Sequence, residues 1–199
     1  MDTYDTILKR RSIRSFSDKP VKMKNLRRMV NAARLAPSAG NMQILEFIIV
    51  TSKRLRGGVF KCLRWAGYLA PRLNPRAGHE PKAYIIILTN SSKPASSDNK
   101  VLTPDLRDIG AAAENIMLTA QANNIVSCWL GAIDKEGLSR LFSLPGHITI
   151  DSVIALGYPN ASSKAVRFKG SVKYFLDKNN TLNVPKRSLN HITHINGFS

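Results

Sequence analysis

Arg10-Arg11-Ser12-Ile13-Arg14 closes the first helix expected in this 199-residue chain, and Ala36-Pro37-Ser38-Ala39-Gly40-Asn41-Met42-Gln43 parts the second helix from the first apolar strand. The first stretch gathers cations and a hydroxyl within five positions. That is the donor set a phosphate monoester takes, forked Arg, hydroxyl and backbone N–H together. Alone, it is equally a helix C-terminus whose cations complement the macrodipole. The second stretch is a turn of small residues where backbone can approach a flat ligand closely. Its Asn41 and Gln43 amides match a row of donors and acceptors. Alone, it is also an ordinary helix-to-strand loop.

Working outward, a short helix is expected over 4–11. Leu26, Met29, Val30 and Ala33 recur at helical spacing, which predicts an amphipathic helix over 24–36. Strands are expected over 45–50, 83–89, 125–130 and 152–156, and helices over 56–69, 105–124 and 134–142. Asp134 is the expected N-cap of the last helix. Gly110-Ala111-Ala112-Ala113 gives the longest helix a small face. Residues 90–103 read as a polar loop. Segments 172–176 and 181–184 flank Asp177-Lys178-Asn179-Asn180, which suggests a hairpin. Helices between most strands would by themselves suggest a doubly wound parallel sheet. No Gly-x-Gly-x-x-Gly follows a strand, so a dinucleotide-binding fingerprint is missing.

The charge is unusual: 30 Lys and Arg against 13 Asp and Glu leave +17. Such a surface attracts polyanions and anionic small molecules, so a basic nucleic-acid-binding module is the rival from another class. The basic residues are scattered, however, and aromatics do not interleave with them as a stacking platform would. No apolar run reaches the length of a membrane span, and the N-terminus lacks a signal-peptide layout. Two cysteines, Cys62 and Cys128, make no disulfide framework, so a cytoplasmic location is the expectation. His79, His147, His191 and His194 have no carboxylate or Cys at ligand spacing, so no metal site is expected.

Two further stretches complete the pattern. Cys128-Trp129-Leu130-Gly131 ends a strand with a glycine, where backbone can come close to a flat ring, and Lys186-Arg187 lies near the end of the chain. Together with Asp108-Ile109-Gly110-Ala111-Ala112-Ala113-Glu114-Asn115 and Ala155-Leu156-Gly157-Tyr158-Pro159, these segments resemble the nitroreductase family over nearly the full length.

That resemblance implies an α+β fold with a mixed, mainly antiparallel sheet flanked by helices. It implies one domain over 1–199, with a hairpin insertion at 168–184 and a C-terminal extension at 185–199. It also implies a homodimer with FMN in the interface and the C-terminal tail exchanged onto the partner. Arg10, Arg11, Ser12, Lys186 and Arg187 would hold the phosphate, and Arg14 would sit by the pyrimidine edge as electrostatic stabiliser. Pro37, Ser38 and Ala39 would come from the partner chain, Asn41 and Gln43 would address the ring, and Leu130 and Gly131 would line it. The implied activity is ping-pong hydride transfer from NAD(P)H through FMN to a nitro, quinone or enone-type acceptor, with no catalytic side chain required. Reductive dehalogenation or breakdown of the flavin itself are the alternatives within the family. Ile44-Leu45 follow Gln43 where the family often has Pro and an aromatic, which leaves the substrate class open.

Overall fold

β2 (Ala83–Asn90) decides the architecture of this computed structural model, which describes residues 2–92 and 105–198. Residues Ala83 to Thr89 are all buried, and their side chains alternate between two cores. Ala83, Ile85 and Ile87 pack with Leu26, Met29 and Ile116, while Tyr84, Ile86 and Leu88 pack with Val59, Leu138 and Val153. A strand covered on both faces is apolar throughout whichever way its neighbours run. Here they run antiparallel: the main sheet has the order β1 (Leu45–Val50), β2, β4 (Ile148–Gly157), β3 (Val126–Leu130), with every pair antiparallel. The α+β expectation holds for this sheet.

α2 (Met23–Arg34) and α4 (Leu106–Ala122) cover one face; α3 (Lys53–Lys61) and α5 (Lys135–Phe142) cover the other. α1 (Thr3–Lys9) packs on α4. Asp134 caps α5 as expected, accepting the Gly137 N–H at 2.9 Å. The small face of α4 lies only partly inside the chain, with Gly110 and Ala111 half-buried. Ala112 and Ala113 are fully buried, and the Asn115 side chain donates to the Ala32 carbonyl of α2 at 3.0 Å.

The helix expected over 56–69 begins earlier and ends sooner. Ser52 Oγ accepts the Leu55 N–H at 3.3 Å and starts α3, which stops at Lys61. Leu63 then bridges Ile133, and Trp65 turns inward with its ring 5.9 Å from Phe60. The apolar residues beyond Lys61 are core anchors on an irregular path.

A second sheet follows, with order β5 (Ser163–Arg167), β7 (Leu182–Lys186), β6 (Phe175–Leu176). β5 runs parallel to β7 and β6 antiparallel, so the expected hairpin is present but short. Its turn is held by Asp177 Oδ1, which accepts the N–H groups of Asn179 at 3.0 Å and Thr181 at 2.9 Å. β7 continues past residue 184, so the expected division between an insertion at 168–184 and an extension from 185 cuts a strand. Most of the expected 90–103 loop lies outside the described residues.

The segment after α1 positions the site. Ser12 bridges Ser127 of β3 in parallel sense, and the Ile13 N–H donates to the Ser127 carbonyl at 3.0 Å. Further on, the Phe16 N–H donates to the His79 carbonyl at 3.0 Å, the Ser17 N–H to Tyr158 at 2.9 Å, and the Asn160 N–H to Ser15 at 3.0 Å. Phe16 is fully buried against Gly157, where even a Cβ would stand 2.7 Å from its ring. Two motifs far apart in sequence, 10–14 and 128–131, therefore share one sheet edge.

Candidate functional site

Arg10 ends α1 with its N–H bonded to the Thr6 carbonyl, and its Nε lies 3.4 Å from Glu114 of α4. Arg11 reaches back to the Arg10 carbonyl; burial, and then the charge of Arg10, lower its pKa. Ser12 and Arg14 enter a cleft of about 360 Å3 walled by Ser15, Arg72, Asn74, Arg76, His79 and Asn160, among others. Arg14 Nε is buried with no hydrogen-bond partner. Its guanidinium lies 5.7 Å from the Tyr174 ring centroid and faces Cys128. No carboxylate lines this cleft among the described residues.

The loop 37–43 is built separately. The Ala39 N–H donates to both oxygens of buried Asp108, at 3.0 and 3.1 Å. Gly40, Asn41 and Gln43 all have left-handed backbone, with φ of 56°, 54° and 49°. Asn41 and Gln43 tolerate it because the loop closes on itself. Ser38 Oγ accepts the Gln43 N–H at 3.2 Å, and Gln43 Nε2 donates to Asn41 Oδ1 at 3.2 Å. Pro37, Ser38 and Gln43 line a second cleft of about 240 Å3 with Leu45, Phe47 and Asp108. Within one chain, then, the loop and Arg14 stand in different clefts. Ile44, at the position where the family often has Pro, is buried.

Leu130 is buried at the end of β3, and Gly131 is exposed, with open space where a side chain would stand. Lys186 and Arg187 belong to the second sheet. Lys186 pairs with Arg167 and accepts the Phe168 N–H, while Arg187 sits 5.8 Å over the Phe168 ring. Leu182 of the same strand reaches the Arg14 cleft; Lys186 and Arg187 are not in its wall. Burial pushes both thiols, Cys62 and Cys128, above the usual range, so neither is a thiolate at neutral pH. Among the described residues no three His, Cys, Asp or Glu are grouped to hold a metal ion. None of the described helices is long and apolar enough to cross a membrane.

Arg72, Asn74, Arg76, His79, Asn160 and Ser162 were not singled out from sequence. They lie in irregular segments without periodicity, and only the density of Arg in Pro71-Arg72-Leu73-Asn74-Pro75-Arg76 could have drawn notice.

A profile of the nitroreductase family matches residues 7–158. The chain belongs to the nitroreductase family. A provisionally named NADH dehydrogenase/NAD(P)H nitroreductase of Archaeoglobus fulgidus is 32% identical over 157 residues, 77% of this chain and 83% of that one. An FMN-dependent nitroreductase from Clostridium difficile R20291 superposes with a TM-score of 0.68 at 22% identity, covering 97% of this chain and 98% of that one. A provisionally named nitroreductase from Desulfovibrio desulfuricans, solved in complex with FMN, gives a TM-score of 0.68 at 21% identity, covering 100% and 99%. At these identities the two structures show the shared nitroreductase fold. The profile match takes in Arg10 to Arg14, loop 37–43 and Gly131, and stops before β5, so Lys186 and Arg187 lie beyond it.

Proposed function

We propose that this member of the nitroreductase family is an FMN-dependent oxidoreductase. In this reading it takes reducing equivalents from NADH or NADPH and passes them to a small nitro, quinone or enone-type acceptor, in ping-pong order. One observation carries the reading: the buried, partnerless Nε of Arg14 in a cleft without carboxylates. Leaving a buried donor unpaired costs about 1–3 kcal/mol, so the position is built for an acceptor that arrives with a ligand. A cleft of about 360 Å3 falls within the size range of small-molecule sites.

The residues present fit FMN. When bound, the flavin supplies the two-electron chemistry, and the chain supplies binding, orientation and charge. In this reading Ser12 holds the phosphate from the cleft wall, with Arg10, Arg11, Lys186 and Arg187 contributing from outside that wall. Arg14 faces the pyrimidine edge, where a cation favours the reduced ring. Asn41 and Gln43 address the ring, and Leu130 and Gly131 line it through backbone. The raised thiol pKa values keep Cys62 and Cys128 out of the chemistry, and solvent delivers the protons.

The working unit in this reading is a homodimer in which Pro37, Ser38 and Ala39 face the flavin held by the other chain. Their separation from Arg14 within one chain supports this. So do the exposed apolar residues Leu8 and Leu106 and those of the tail, which crosses onto the partner. The test is an absorbance spectrum of the purified protein, repeated after FMN addition and desalting. Oxidised-flavin bands near one FMN per chain, bleached by NADH or NADPH, are expected. A colourless chain that will not retain FMN would overturn the reading.

A further inference from the structure

Three arginines, Arg14 and the exposed Arg72 and Arg76, line the larger cleft, and the flavin reading employs one. The turn carrying the other two is well held: the Asn74 N–H donates to the Pro71 carbonyl and the His79 N–H to Arg76, each at 2.9 Å, with Pro75 buried. Arg72 and Arg76 line the cleft, together with Asn160 and with Ser162 and Ser163 at the start of β5. Among the described residues neither arginine is ion-paired. Ser163 Oγ is buried without a hydrogen-bond partner, a second orphaned polar group in the same wall as Arg14.

Three guanidinium groups along a cleft with no carboxylate among the described residues favour an anionic ligand over a neutral one. A phosphate monoester meets that preference, because its oxygens take forked guanidinium groups and a hydroxyl together. We propose that Arg72, Arg76 and Ser163 form an organic-phosphate subsite in this cleft. The phosphate meant is the 2′-phosphate that distinguishes NADPH from NADH, since the flavin reading already gives the FMN phosphate to Arg10, Arg11, Ser12, Lys186 and Arg187. The proposal deepens the oxidoreductase reading by naming its electron donor, and nucleotide binding tests it apart from flavin retention.

The experiment titrates the full-length chain with 2′,5′-ADP and with 5′-AMP by calorimetry, and measures FMN retention separately. Each is repeated on Arg72→Ala/Arg76→Ala and on Arg72→Lys/Arg76→Lys. Losing two charge-assisted contacts weakens the relevant ligand by roughly tenfold or more. The expected result is that 2′,5′-ADP binds the parent chain more tightly than 5′-AMP and that the alanine pair removes the difference. An alanine pair that loses FMN and leaves the nucleotides unchanged would overturn the proposal. The lysine pair keeps the charge without the fork and falls between, which keeps the test readable should the alanine chain fold poorly. Ligand affinities unmoved by either pair would overturn the proposal. A parent chain that retains no FMN sinks the flavin reading alone, and the 2′,5′-ADP comparison still decides the cleft.

Discussion

The carboxylate of Asp108, in the first turn of α4, accepts the backbone N–H of Ala39 with both oxygens across 69 positions of sequence. That bond holds in place a loop with three left-handed residues, and its acceptor is a buried charge. Asp108→Ala removes this bond to a carboxylate acceptor from the N–H of exposed Ala39 and is expected to cost about 1–3 kcal/mol in urea unfolding. Asp108→Asn keeps one acceptor and should retain more. An alanine variant as stable as the parent would show that the loop does not depend on this anchor.

Phe16 and Gly157 are in tighter contact than any side chain at 157 would allow, with 2.7 Å from an added Cβ to the ring. Gly157→Ala should destabilise by about 1–3 kcal/mol through overpacking. Phe16→Leu in that background returns space, so the double variant should recover part of the loss seen in thermal unfolding. Additive losses would mean that the two sites do not press on each other.

The elements legible in sequence were those whose burial is either periodic or unbroken. Leu26, Met29 and Ala33 gave α2, and the unbroken apolar run gave β2. β5 was missed because Ser163-Lys164-Ala165-Val166-Arg167 is a half-exposed strand with no buried face to imprint an alternation. α3 was misplaced because Leu63 and Trp65 are apolar for tertiary reasons, while the true start, the Ser52 cap, lies three residues before Leu55. For the site, motif order located Arg14 and loop 37–43. It could not reveal the turn with Arg72 and Arg76, which is tied to the cleft by the Phe16 N–H bond to the His79 carbonyl among other long-range contacts.

Arg14 should matter to the flavin in two separable ways. Arg14→Ala is expected to weaken FMN retention by roughly tenfold or more, the worth of a charge-assisted contact. It should also lower the flavin midpoint potential, since a cation at the pyrimidine edge favours the reduced form. Arg14→Lys keeps the charge and loses the fork, so potential should recover more than affinity. Unchanged affinity and potential in Arg14→Ala would remove Arg14 from the site.

Asp177 gives the second sheet an acid sensitivity. Its pKa is lowered, first by the Thr181 backbone N–H, then by the Asn183 side chain, with Lys164 also nearby at 3.5 Å. A depressed carboxylate stabilises the fold above its unfolded pKa of about 3.9. That contribution is lost as pH falls through the lower folded value. Asp177→Asn should therefore unfold at a lower temperature than the parent near neutral pH, with the gap closing on acidification below about pH 4. A gap that is constant with pH would assign the effect to packing instead of charge.

The tail after β7 exposes one apolar residue after another: Leu189, Ile192, Ile195 and Phe198, the last 94% exposed with its ring stacked 4.2 Å from His194. Four large apolar side chains in ten residues gain nothing from water, and burying each is worth about 1.5–3 kcal/mol. A second copy of the chain is the cover proposed above, with the tail exchanged onto it. Removing residues 188–199 should then convert a dimer into a monomer in sedimentation equilibrium. It should also lower FMN occupancy, because in the proposed dimer Pro37, Ser38 and Ala39 face the flavin held by the other chain. The conservative control is Ile195→Ser/Phe198→Ser, which keeps the chain length and should weaken the dimer in the same direction. A full-length chain that sediments as a monomer while retaining one FMN would place the whole flavin site within a single subunit and remove the tail from it.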